Sequence, residues 1–255
     1  MRSKLLAASL IASFGFAGAA APALADGEAE ETASPWSATL TVTSDYRFRG
    51  QSQNSRNFTP QGSIDFESET GFFAGVWASE IDFSDTFDFD SFIEIDVYAG
   101  YNFTLGDATE GSLKVTYYAY PDNPFSYEYW EVQAALSHDL GGASLSGELN
   151  FSPDYFNETG DAVALAGGLE VPISEEFLGG SLSASGHVGY QWIDDNALFG
   201  TDDYMYWDFG VAMVWWDKVT LDLRYVGTDL DELECFGGTD LCESGFMGTL
   251  SLTLP

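Results

Sequence analysis

The chain has 255 residues, with 41 Asp and Glu against 8 Lys and Arg, and a formal net charge of −33. So acidic a surface offers no basic face to neutralise phosphates, which excludes a nucleic-acid-binding protein. Aromatic residues make up 16% of the sequence and there are 27 glycines, a mixture that suits many strands and tight turns better than helices.

Residues 1–25 read as a secretory signal peptide: a basic start, "MRSK", an apolar run, and Ala23-Leu24-Ala25 as an A-x-A cleavage pattern. Cleavage there leaves 230 residues, and loss of Arg2 and Lys4 moves the formal charge from −33 to −35. Residues 26–35, "DGEAEETASP", have nothing to bury and read as a flexible acidic leader. After that, no apolar segment approaches the roughly 20 residues that a bilayer-spanning helix needs.

From Trp36 onward the signal is alternation. Over 36–50 one face carries Trp36, Ala38, Leu40, Val42, Tyr46 and Phe48, and the other Thr39, Thr41, Thr43, Asp45, Arg47 and Arg49. "SFIEIDVYAGYNFTL" sets Ile93, Ile95, Val97, Tyr101 and Phe103 against Glu94, Asp96, Asn102 and Thr104. "ASLSGELNF" repeats the pattern with Leu145, Leu149 and Phe151 against Ser144, Ser146, Glu148 and Asn150.

About twelve such segments are predicted: 36–50, 58–68, 71–83, 91–105, 111–120, 126–138, 143–153, 161–173, 181–192, 203–216, 218–227 and 245–255. Their connections alternate in length. "ET" at 69–70, "DLGG" at 139–142 and "WDK" at 216–218 are tight, while "QSQNSRN", "SDTFDFD", "DDNALFGTDD" and 228–244 are longer and acidic. "GDATEG" and "SEEFLGG" are intermediate. Short turns on one side and long loops on the other are the mark of a transmembrane β-barrel, with short periplasmic turns and longer extracellular loops. Six of the seven tryptophans fall at or near strand ends, where interfacial girdles sit. The competing reading is a soluble secreted sandwich, which would carry an unusually large aromatic exterior.

"SDYRFRGQSQ" at 44–53, "PQGSIDFESETGFFAGVWASEIDF" at 60–83 and "IEIDVYAGYNF" at 93–103 resemble the TorF family of porins of Gram-negative bacteria. The resemblance is most specific over 40–105 and implies a barrel in the bacterial outer membrane that acts as a channel. One departure is the end, "GTLSLTLP", which carries Leu254 and Pro255 where such barrels commonly finish on an aromatic residue. Alternation through Phe246, Gly248, Leu250, Leu252 and Leu254 still supplies a lipid face.

With the polar face turned to the lumen, the expected pore-lining or constriction residues are Asp45, Arg47, Arg49, Asp65, Glu67, Glu80, Asp82, Glu94 and Asp96. Unpaired charges on the lipid side would cost about 2–4 kcal/mol for a cation at the midplane, so stability alone turns them inward. The arginines on the first strand face Asp65 and Glu67 on the second and Glu80 and Asp82 on the third. Either they brace an acidic wall as counter-charges, or they form a charged constriction that selects among solutes. About twelve strands is intermediate between filled barrels and wide channels, so the expected pore is narrow, and its acidic lining favours cations and small solutes. The alternative is a non-conducting structural or surface-interaction barrel that works through its acidic loops.

Cys235 and Cys242 bracket "FGGTDL" in the last long loop, and an exported chain meets an oxidising compartment, so a disulfide is expected. No cofactor or metal is expected, because the calcium-loop pattern is lacking and neither histidine lies near the cysteines in sequence. Ser185 and His187 share a face, but no nucleophile elbow accompanies them, and the expectation is no enzyme. The partners read are outer-membrane lipid and the passing solutes; oligomeric state has no sequence signal here.

Overall fold

The computed structural model describes residues 34–83, 92–121 and 127–255. The signal peptide read over 1–25 and the leader up to residue 33 lie outside the described residues, as does all of "SDTFDFD".

Alternation of greasy and polar residues lets a strand bury one face in lipid only if its backbone groups are all paired, and in a membrane that requires a closed sheet. Among the described residues, twelve strands close into one antiparallel barrel. They are β1 (Trp36–Thr43), β4 (Thr59–Glu67), β5 (Phe72–Glu80), β6 (Ile93–Thr104), β7 (Thr109–Ala119), β8 (Tyr129–Asp139), β9 (Ser144–Ser152), β10 (Ala162–Phe177), β11 (Gly180–Ile193), β12 (Tyr204–Trp215), β13 (Val219–Thr228) and β14 (Gly245–Leu254). Two further short strands, β2 (Arg47–Phe48) and β3 (Gln51–Ser52), form a separate hairpin. Every barrel strand pairs with its sequence neighbour in the barrel, and β1 pairs with β14 to close the ring.

The connections sort by length more cleanly than the sequence suggests. Those at 68–71, 105–108, 140–143, 178–179 and 216–218 have two to four residues, and all lie at one end with both termini of the barrel. The strand ends that the long ones join, after Thr43, Glu80, Ala119, Ser152, Ile193 and Thr228, lie at the other. "SEEFLGG" is no loop: β10 runs 16 residues through Glu175 and Glu176 to Phe177, and the turn is only Leu178-Gly179. A strand of about 9–11 residues suffices to cross the bilayer, so this hairpin extends past the membrane, where exposed acids cost nothing.

The outer face carries Leu40, Val42, Ile64, Val76, Val97, Leu113, Val132, Leu149, Leu165, Val188, Phe209, Leu223 and Leu250, all exposed. Trp36 and Trp216 stand exposed at the turn end, and Trp130 and Trp192 at the loop end. Apolar band and flanking aromatics are the outer surface of a membrane-spanning barrel. Where β1 meets β14 the inner face is tied by hydroxyl pairs: Thr39 with Thr253 at 3.2 Å, Thr41 with Ser251 at 2.8 Å and Thr43 with Thr249 at 3.0 Å.

The first strand departs from expectation. It ends at Thr43, not residue 50, and the chain then turns into the lumen. Tyr46 and Phe48, expected on the lipid face, are buried with Trp77, Tyr118, Tyr120, Tyr129, Tyr155 and Phe199 in an aromatic layer inside the barrel. That layer satisfies the rings as well as lipid would, which is why the alternation runs on past the strand.

Candidate functional site

The segment 44–58 crosses the lumen, and its local sequence explains how. β2 and β3 are joined by Arg49 and Gly50, whose φ values are 47° and 84°. Two left-handed residues between antiparallel strands make a tight hairpin turn whose twist matches its arms. Gly50 is required twice over, since a Cβ there would lie 2.6 Å from Thr228 Cγ2 and 2.9 Å from the Gly227 carbonyl oxygen.

The turn carries Arg49 across the barrel. Its Nη2 donates to Glu131 Oε2 at 2.6 Å and its Nη1 to Gln191 Oε1 at 2.9 Å. Glu131 is on β8, nearly opposite β1 in the ring, and Gln191 is on β11. All three are buried. Tyr118 donates its hydroxyl to Glu131 Oε1 at 3.3 Å, and the Arg49 guanidinium carbon lies 4.6 Å from the centre of the Phe48 ring. Charge-assisted bonds in a site shut off from water are strong only when both partners are present, so this contact latches the crossing loop to the far wall.

Arg47 has a different task. Its Nε donates to Asp45 Oδ2 at 2.5 Å, and its Nη1 to the carbonyl oxygens of Gly50 and Glu243, each at 2.8 Å. Asp45 Oδ1 also accepts from Ser52 Oγ at 2.6 Å, so Asp45, Arg47 and Ser52 fix the hairpin's base. The Ser52 amide donates to the Leu241 carbonyl at 2.8 Å, and Arg56 Nη1 to Glu243 Oε2 at 3.2 Å. These acceptors sit in the loop 229–244, which a Cys235–Cys242 disulfide closes on itself. On the other side the Asp82 amide donates to the Gln53 carbonyl at 2.9 Å, and Ser55 Oγ to the Asp82 carbonyl at 3.0 Å. Burial pushes the Tyr155 hydroxyl, in the loop 153–161, up to about 12, so it remains a neutral member of the aromatic layer.

The expected lining residues therefore separate. Asp65 and Glu67 face inward on β4, as do Glu94 and Asp96 on β6, yet none of the four holds an arginine. Asp65 accepts from Ser63 Oγ at 2.6 Å and from the Tyr98 hydroxyl, and Glu67 Oε1 accepts from Asn102 Nδ2 at 3.2 Å. Glu80 is a correction: it is exposed at the loop end of β5, on the outer face with Val76, because Trp77 and Ser79 are the inward residues of that strand. Asp82 lies beyond the end of β5 and supports the crossing loop through its backbone. Arg47 and Arg49 sit on no wall strand, and the register that was to set them against the second and third strands does not exist.

Sequence reasoning missed Glu131 and Gln191 as the partners of Arg49. Their only signal is a place on the polar face of strands opposite β1. Glu148, Asp208, Asp222 and Arg224 are polar-face residues that the sequence also puts on the lumen side, but it does not foresee how they pair in two clusters on the wall. Gln133 Nε2 donates to Glu148 Oε2 at 3.1 Å and to Asn150 Oδ1 at 3.0 Å. Arg224 Nη2 donates to Asp222 Oδ2 at 2.5 Å, Arg224 Nη1 also bonds Asp208, and His187 Nδ1 lies 2.8 Å from Asp208 Oδ1. His187 is thus engaged by the carboxylate opposite it in the β11–β12 pairing.

Among solved structures the chain is similar to the NanC porin, with a TM-score of 0.56 at 9% identity over 86% of this chain and 99% of that one. A protein from a study of in-meso crystallization of membrane proteins matches with a TM-score of 0.50 at 10% identity over 86% of this chain and 83% of that one. LpxR from Salmonella typhimurium follows at 0.48, with 9% identity over 86% and 99%. At such identities the likeness is one of fold, and that fold is the bacterial outer-membrane barrel. No curated protein matches the chain. The family described as "Bacterial protein of unknown function (Gcw_chp)" matches residues 28–253.

Proposed function

The chain belongs to the Gcw_chp family of bacterial proteins, and we propose that it acts as an outer-membrane porin with a narrow, acidic, cation-preferring passage for ions or small solutes. The observation that carries this reading is the loop 44–58, latched by Arg49 to Glu131 inside a lumen whose wall is acidic. Asp65, Glu67, Glu94, Asp96, Glu148, Glu170, Asp208 and Asp222 outnumber Lys114 and Arg224 on the inward faces, so the field along the wall attracts cations and repels anions. An inward loop set against a charged wall narrows a barrel of this size to something only small species pass. The resemblance of residues 40–105 to the TorF porins supports the same reading. The mature protein is taken to begin after Ala25, which mass analysis of the exported chain tests.

A second reading is a closed structural barrel that works through its loops, and the aromatic layer beneath them favours it. Single-channel recording of the refolded protein under a KCl gradient separates the two, with folding verified by the heat-shifted gel band. Discrete steps with a cation-selective reversal potential, weakening as the Debye length falls to about 3 Å at 1 M salt, support the porin. A verified barrel that stays silent overturns it in favour of the closed one.

A further inference from the structure

The outer wall of the barrel carries a hollow of about 910 Å³ across β1 and β4 to β8. Strand register explains its shape. Phe66 on β4, Ala74 on β5 and Ala99 on β6 stand opposite one another in turn and form one row of outward residues. Val76, Val97, Tyr117 and Trp130, on β5 to β8, form the next. Where these rows cross β5 and β6 no side chain is larger than valine, so the floor lies low there. At each end an aromatic pair rises: Trp36 with Phe66, ring centroids 5.1 Å apart, and Tyr117 with Trp130, 4.6 Å apart.

Trp36 opens β1 at the turn end, and Trp130 stands at the loop end of β8, so the hollow climbs obliquely from one aromatic girdle to the other. It crosses five strand spacings, about 24 Å around the wall. That stretch lies within the apolar band, where the surrounding phase is hydrocarbon. Volume and lining are those of a ligand pocket, which runs to about 300–1,000 Å³ and is mainly apolar and aromatic. A chain from one leaflet, about 15 Å long, fits along it. A second copy of the barrel fits worse, because two convex walls meeting hollow to hollow would enclose the space without filling it.

The rim bears on the headgroup. Glu69 is exposed in the turn at one end, and Glu80 and Glu128 are exposed at the other. Lys114, the one basic residue on β1 and β4 to β8, points into the lumen. Such a rim repels an anionic headgroup and accepts one that carries an ammonium group beside its phosphate.

We propose that this hollow holds one acyl chain of a zwitterionic phospholipid, retained by each barrel as a bound ligand and distinct from the exchanging lipid around it. Trp36 with Phe66 and Tyr117 with Trp130 clamp the chain at its sides, and Ala74 and Ala99 give it depth. This inference goes beyond the channel reading, because the hollow is on the outside of the wall and holds its lipid whether the lumen is open or closed.

The test is native mass spectrometry of the mature barrel, incubated with phosphatidylcholine and released from detergent, with the heat-shifted gel band confirming the fold. One retained lipid per barrel is expected, lost when Ala99→Phe fills the floor and kept in Val211→Phe, on the outer face of β12 directly across the ring. No retained lipid, or one retained equally by both variants, overturns the proposal. So does a dimer or trimer that Ala99→Phe dissociates, which would give the hollow to a second copy. If Ala99→Phe does not fold, fluorescence decides. In vesicles holding a small fraction of phosphatidylcholine with brominated chains, quenching should fall in Trp130→Phe and persist in Trp192→Phe, a loop-end tryptophan outside the hollow. Equal falls mark ordinary boundary lipid and refute the site. A silent bilayer with the lipid retained refutes the channel and leaves the site standing.

Discussion

Replacing Arg49 by Ala removes the contact between the tip of the crossing loop and the far wall, and leaves Glu131, 6% exposed, without its guanidinium. Breaking a buried pair from one side costs about 3–5 kcal/mol, because the surviving charge stays desolvated. Gln191 Oε1 loses a donor at the same time, and Phe48 loses the cation over its ring. These losses share atoms and overlap, so about 3–5 kcal/mol is the expected total. Ala is the right replacement, since Gly would relieve the left-handed backbone at φ 47° and mask about 1–2 kcal/mol of the loss. Adding Glu131→Gln to the Ala variant removes the stranded charge and should restore more than half of the stability. The assay is equilibrium urea unfolding in phospholipid vesicles, read by tryptophan fluorescence and by the heat-shifted gel band, with single-channel recording on the same samples. Under the porin reading the Ala variant also conducts more, with noisier openings. A loss below about 1 kcal/mol, the range of exposed pairs, or no recovery in the double variant, would refute the latch.

The remaining expectations are simpler. Val97→Arg, midway along β6 on the outer face and 50% exposed in the bare protein, should cost about 2–4 kcal/mol in vesicles, whereas on a water-soluble surface it would be nearly neutral. Gly50→Ala should cost about 1–3 kcal/mol in the same unfolding assay, because both its backbone angle and the approach of Thr228 exclude a side chain. Breaking the Cys235–Cys242 bond by a double serine substitution should lower the stability of the loop 229–244 by about 2–3 kcal/mol, seen as faster protease cutting there with the barrel's gel shift intact. Because that loop supplies carbonyl acceptors to Arg47, the same variant should also loosen the hairpin.

The barrel itself was legible because lipid on one side and a polar lumen on the other impose a period of two that nothing else in the sequence mimics. Residues 93–104, 144–152 and 245–254 each show the faces expected of them. The failures have one physical origin: period and polarity tell which residues share a face, but not what covers it. Tyr46 and Phe48 keep the lipid-side rhythm while packing inside, because an aromatic layer in the lumen buries them equally well. Glu80 looks like a lumen acid, yet Trp77 takes the inward position of β5 and sends Glu80 out, above the apolar band. Glu175 and Glu176 look like turn residues because a strand within lipid would not bear them, and this one continues beyond it. The hint of an inward loop was present in Arg49-Gly50, a tight-turn pair in the middle of an otherwise regular alternation. Arg49's partners depend on which strands stand opposite one another once the ring closes, and no local pattern encodes that.

The hydroxyl ladder between β1 and β14 joins residues 206 to 214 positions apart in the chain. Contacts that distant cannot form early, because nearly the whole polypeptide must already be in place to bring the two ends together. Until then both strands present open edges, and an open edge within hydrocarbon leaves its amides and carbonyls unsatisfied. Thr39, Thr41 and Thr43 therefore act as a completion check on biogenesis: they find Thr253, Ser251 and Thr249 only when the last strand has arrived in register. A one-residue slip at that seam would turn Leu250 and Leu252 toward the threonines and the hydroxyls toward lipid. Correct closure is thus written into the chemistry of its first eight and last ten strand residues.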